Sequence, residues 1–137
     1  MKLTSAFALT VVLAWSAPAS ACSCIEQPVA TARAAATWVF EGVMLRAEPS
    51  SESGRQRATF RVERVWKGTP GAEVTIDVPG PGSMCPPHLS VGERVILYAT
   101  GPAEAPRVES CARYAMPSEL RAERRRLGPA RNRQSGR

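Results

Sequence analysis

A single histidine, His88, is all the sequence offers to chemistry that depends on imidazole. A zinc or catalytic centre needs several converging ligands, or a base held by an orienting partner. His88 alone in a proline-rich stretch reads as a solvent-facing loop residue. Aromatic residues make up only 6% of the chain, too few for the interleaved stacking platforms of single-strand nucleic-acid binders. No glycine-rich phosphate loop and no nucleophile elbow occurs, and the serines and carboxylates are scattered without an evident pairing. An enzyme is therefore not expected, and neither is a resident cofactor or a nucleic-acid partner. Apart from Leu3 to Trp15 there is no long apolar run, so nothing beyond that stretch is expected to span a membrane.

Leu3 to Trp15 is itself too short for a comfortable span. With Lys2 before it and Ala19-Ser20-Ala21 behind it, the stretch has the layout of a secretory signal. Cleavage after Ala21 would leave roughly 116 residues for one small domain and make Cys22 the new terminus. Its thiol, α-amine and carbonyl would then sit together on one residue. The expected location is secreted or periplasmic. The same stretch grazes a lipobox, in which Cys22 would be acylated and its amine blocked. Ala19 stands where a lipobox prefers leucine, which makes this the weaker reading.

The four cysteines, Cys22, Cys24, Cys85 and Cys111, all follow that cleavage point. An even count in an exported chain reads as disulfides. Cys22 and Cys24 share one extended segment, and bridging them would close a tiny strained ring. Two pairings remain: 22–85 with 24–111, or 22–111 with 24–85. Either ties the new terminus to distant parts of the chain, and each such loop restricts the unfolded state by on the order of 4 kcal/mol in the chain-entropy model.

Further along, the alanine-rich stretch Glu26 to Thr37, with Pro28 near its start, predicts a short helix. Trp38 to Leu45 is β-rich, with Gly42 suggesting a bulge or bend. Glu48 to Gly54 predicts a hairpin-like loop, and Arg57 to Trp66 alternates like a half-buried antiparallel strand. After a turn at Lys67–Gly71, Glu73 to Val78 alternates again. Pro79 to Pro87 is too rich in proline and glycine for a strand and predicts a shaped surface loop around Ser83-Met84-Cys85. Arg94 to Ala99 predicts a central strand, and Val108 to Cys111 a short one. Pro117 to Leu127 predicts a helix that stops at Gly128-Pro129. Trp38 and Trp66 are expected in the core.

The formal net charge of +6 gathers late in the chain, at Arg121, Arg124, Arg125, Arg126, Arg131, Arg133 and Arg137. A basic helix followed by a frayed tail would account for it, with weak attraction to an anionic cell surface as its functional counterpart.

Taken together, the Cys-x-Cys terminus, Val39-Phe40-x-Gly42, Val65-Trp66-Lys67-Gly68, Ser83-Met84-Cys85 and the late Cys111 resemble the netrin-like domain, and within it the tissue inhibitors of metalloproteinases in a short bacterial form. The likeness covers roughly Cys22 to Cys111. It implies an all-β fold, an OB-like five-stranded antiparallel barrel with a short N-terminal and a C-terminal helix. The domain would span 22–116, followed by a basic helix and tail over 117–137. It also implies the pairing Cys22–Cys85 with Cys24–Cys111. In the inhibitors the N-terminal cysteine sets its α-amine and carbonyl oxygen on the catalytic zinc of the protease, which would be the role of Cys22 here. Ser23 would enter the S1′ pocket, and Ser83, Met84 and Cys85 would form the second segment of the contact ridge. The implied partner is a zinc metalloprotease, bound by a monomer. Animal inhibitors carry a third disulfide in this domain, for which four cysteines leave no partners, and a cysteine-rich domain after it, where this sequence runs on as an arginine-rich segment. Many netrin-like domains are non-inhibitory binding or structural modules, which is the alternative reading.

Overall fold

The computed structural model describes residues 22–132; the proposed signal over 1–21 and the arginines Arg133 and Arg137 lie outside them. The chain folds as a six-stranded antiparallel sheet with two short helices. In order, these are helix α1 (Val29–Ala35), strands β1 (Trp38–Pro49), β2 (Arg55–Lys67), β3 (Glu73–Pro79), β4 (Arg94–Ala99) and β5 (Tyr114–Ala115), helix α2 (Leu120–Leu127) and strand β6 (Arg131–Asn132). The sheet runs β3-β2-β1-β4-β5, and β6 pairs with β2 outside that path.

The long β1–β2 hairpin carries the architecture. Its register slips at three places, between Val39 and Phe40, Glu41 and Gly42, and Met44 and Arg46. The extra residues are Trp66 and Glu63 on β2 and Leu45 on β1; such insertions bend a strand and increase its twist. A Cβ on Gly42 would lie 2.7 Å from the Arg61 carbonyl oxygen, which explains why the bend falls on glycine. On one face Phe40, Met44, Phe60, Val62, Ile76, Val95 and Leu97 form the main core, with Phe40 and Phe60 edge to face at 5.9 Å between centroids. On the other face Val39, Trp66, Ile96 and Tyr98 are covered by Ala32 and Ala36 around α1 and by Leu120 and Leu127 of α2. Strand β4 is buried on both faces from Val95 to Ala99, and this is the physical meaning of its unbroken apolar run.

Several expectations are refined. The first helix is shorter than Glu26–Thr37, because Pro28 occupies its N-cap and Ala36 is already extended. Lys67 Nζ closes its far end, donating to the Arg33 and Ala34 carbonyls at 2.7 and 2.9 Å. No strand forms over 108–111. Instead Arg107 makes isolated bridges to Asp77 and Thr100, and Val108 donates to the Asp77 carbonyl at 2.8 Å. Six strands are paired rather than five, since the two-residue β5 and β6 join the sheet. Arg131 and Asn132 thus pair with Val65 and Arg64 of β2. Helix α2 begins at Leu120 rather than Pro117 and ends at Gly128, whose φ of 77° is the left-handed exit that glycine tolerates.

Candidate functional site: a disulfide-pinned terminal ridge

From Cys22 to Pro28 the chain has no regular secondary structure. It is fixed instead at two covalent points. Cys22 is bonded to Cys85, with Cα atoms 5.5 Å apart, and Cys24 to Cys111, at 5.2 Å. The two receiving loops are also joined to each other, because Cys111 N donates to the Pro86 carbonyl at 2.9 Å. Cys111 has a positive φ of 62°.

The loop around Cys85 is shaped by its own short-range bonds. Gly80 N donates to the Gly54 carbonyl at 2.8 Å, and Ser83 N to the Gly80 carbonyl at 2.9 Å. The Ser83 hydroxyl donates to the Cys85 carbonyl at 2.9 Å and accepts from Cys85 N at 3.2 Å. This is the local side-chain bonding through which serine stabilises turns. Beyond a cis Pro86–Pro87 bond, Pro87 and Leu89 are buried and anchor the loop, while His88 between them faces solvent.

All five residues expected in the ridge are therefore brought together: Cys22, Ser23, Ser83, Met84 and Cys85. Cys22, Ser83 and Cys85 are half-buried and Ser23 is exposed. Met84 is 74% exposed and Ile25, two residues beyond Ser23, is 84% exposed. Val91 is also 61% exposed; of these three large apolar side chains, Met84 and Ile25 each adjoin a disulfide cysteine. Ile25 escaped the sequence reading, although its place beside Cys24 was a usable signal. Behind the ridge lies a cleft of about 240 Å³ whose lining includes Cys24, Ile25, Pro86, Ala112, Arg113 and Tyr114.

Two buried carboxylates anchor the helical side, and neither was singled out from the sequence. Glu41, on the helix-covered face of β1, accepts from Arg124 of α2 at 2.5 and 2.7 Å and from Arg64 at 3.2 Å. Glu123 of α2 accepts from Arg113 at 2.6 Å through both oxygens and from the Tyr98 hydroxyl at 2.7 Å. Burial pushes the Glu123 pKa up, but the bonds from Arg113 and Tyr98 outweigh it and hold the carboxyl below its ordinary range. Burial first, and then the bond to Glu123, keeps the Tyr98 phenol protonated well past its usual pKa. Arg124 of the basic cluster is thus committed to Glu41; Arg126 touches Glu123 at 3.5 Å but is exposed, as are Arg121 and Arg125.

Among the described residues no three His, Cys, Asp or Glu side chains converge as a metal site, and no helix is long and apolar enough to cross a membrane. No family model matches the chain, and no curated protein matches it significantly.

Proposed function

We propose that this chain is a secreted or periplasmic metalloprotease inhibitor of the netrin-like type, with the sheet curled into an OB-like barrel behind its working edge. Cleavage before Cys22 frees the α-amine. The amine nitrogen and carbonyl oxygen of Cys22 then chelate the zinc of the target protease. A catalytic zinc keeps an open position, and one residue offering both atoms fills it and displaces the water needed for hydrolysis. Ser23 follows into the adjoining pocket, small enough not to clash. Ser83 and Met84 provide the second contact segment.

The observation that carries this reading is that the Cys22–Cys85 bond brings the exposed segment Ser23–Ile25 together with the loop that carries exposed Met84. Segments ordered before binding lose less entropy on binding, and that saving appears as affinity. Two disulfides in the described chain suit an oxidising compartment.

The test compares the mature chain beginning at Cys22 with a version carrying one extra alanine before it, assayed against a panel of zinc proteases. The extra residue should abolish inhibition while leaving the unfolding transition in place. Equal potency of the two forms would rule out the mechanism. A chain that inhibits no zinc protease would instead be a non-inhibitory binding module. Its surface would be sought at Arg121 and Arg125 by neutralising both to glutamine. Truncating α2 is unsuitable, because Leu120 and Leu127 belong to the core.

A further inference from the structure

Arg113 lies two residues beyond the Cys111 disulfide, and its guanidinium works in two directions. Nε and Nη2 form a fork on Glu123, each bond 2.6 Å. Nη1 points the other way, donating to the Gln27 carbonyl at 2.7 Å and to Glu26 Oε1 at 3.1 Å. The Arg113 side chain is 7% exposed and that of Glu123 is 3% exposed. Glu123 in turn accepts from the Tyr98 hydroxyl, so an unbroken line of charge-assisted bonds runs from β4 through α2 to the N-terminal segment.

We propose that Arg113 is a positioning residue for the terminal ridge: it fixes Glu26 and Gln27, and thereby the angle at which Cys22 and Ser23 leave the domain. The proposal rests on the reading of Cys22 as the zinc-binding residue. Two disulfides hold Cys22 and Cys24, but a disulfide leaves its flanking backbone free to swivel, and regular structure resumes only at Val29. A third fixed point at Gln27 removes that freedom. A guanidinium only 7% exposed must bond Nη1 as well as Nε and Nη2. The partner it takes is the main chain of the segment that follows Cys24, so the same bond that satisfies Nη1 ties that segment down. Lysine could supply the charge opposite Glu123, but its single nitrogen cannot occupy both ends of the guanidinium at once.

The experiment measures backbone ¹⁵N order parameters on the mature, disulfide-bonded chain and on Arg113→Lys, alongside inhibition of a zinc protease. In the wild type, Glu26 and Gln27 should be as rigid as the strands, near about 0.85, and in Arg113→Lys they should fall below about 0.6 while β1 to β4 stay unchanged. Potency should drop on the order of tenfold, the cost of re-ordering the ridge on binding. Unchanged order at Glu26 and Gln27 in the lysine variant would overturn the proposal, because charge alone would then suffice. Should Arg113→Lys fail to fold, the wild type decides. A scalar coupling across the hydrogen bond from Nη1 to the Gln27 carbonyl supports the assignment, and a freely averaging guanidinium overturns it. If the wild type inhibits no zinc protease, the reading of Cys22 fails on its own, while the order parameters still decide the role of Arg113.

Discussion

At the scale of single residues, the domain places two carboxyl side chains, Glu41 and Glu123, in its interior and surrounds each with arginine. Burying a carboxylate is tolerable only when its oxygens are bonded, and removing one partner of such a pair costs about 3–5 kcal/mol. Glu123→Gln should therefore lower stability by about 3 kcal/mol near neutral pH. The pH dependence has a definite sign. The folded pKa of Glu123 is depressed, so its stabilisation is complete above the unfolded carboxylate range, roughly pH 4–5, and is lost as pH falls through the lower folded value. Denaturant titrations of both proteins should show their difference shrinking at acid pH; a constant difference would contradict the assignment. Tyr98→Phe removes one bond to the same carboxylate, with almost no volume change. It should cost about 2 kcal/mol, read as a lowered denaturation midpoint with an unchanged slope.

At the scale of elements, legibility followed the range of the interaction. Strand β4 could be read because burial on both faces writes itself into consecutive residues. The hairpin β1–β2 could be read because alternation and the glycine bend are local signals. Strands β5 and β6 could not, since two residues carry no period and Arg131–Asn132 is exposed and polar, paired through its backbone. The same holds in the site. The Cys22-Ser23-Cys24 and Ser83-Met84-Cys85 segments are visible as motifs. Arg113 is not, because its partners Glu26 and Gln27 lie 87 and 86 residues away. Glu41 is not singled out within the Trp38–Leu45 run, because its partner Arg124 lies 83 residues on. One element-scale prediction concerns the turn after β2. Gly68 has a φ of 77°, and a Cβ there would run into the Trp38 ring and lie 2.6 Å from the Thr37 carbonyl oxygen. Gly68→Ala should destabilise by at least about 1 kcal/mol, lowering the thermal midpoint; an unchanged midpoint would show that the turn can relax.

At the scale of the whole molecule, the domain is closed by chemistry that acts across its ends. The two disulfides span 63 and 87 residues, and each is worth on the order of 4 kcal/mol in the chain-entropy model. The double substitution Cys24→Ser with Cys111→Ser should therefore lower the unfolding free energy by about that amount, and a thermal midpoint equal to that of the wild type would contradict it. The sheet, its helices and the buried ion pairs form a platform, and the two disulfides fasten the irregular segment Cys22–Pro28 to the loops around Cys85 and Cys111. The central claim is that this terminus places Cys22 on another protein's zinc. It is tested most directly by titrating a cobalt-substituted zinc protease with the mature chain and following the visible absorption of the metal. Coordination by the Cys22 amine and carbonyl should shift that spectrum stoichiometrically, and the chain with an extra alanine before Cys22 should leave it unchanged. An unaltered cobalt spectrum at saturating wild-type chain, with or without loss of protease activity, would contradict zinc chelation by this terminus.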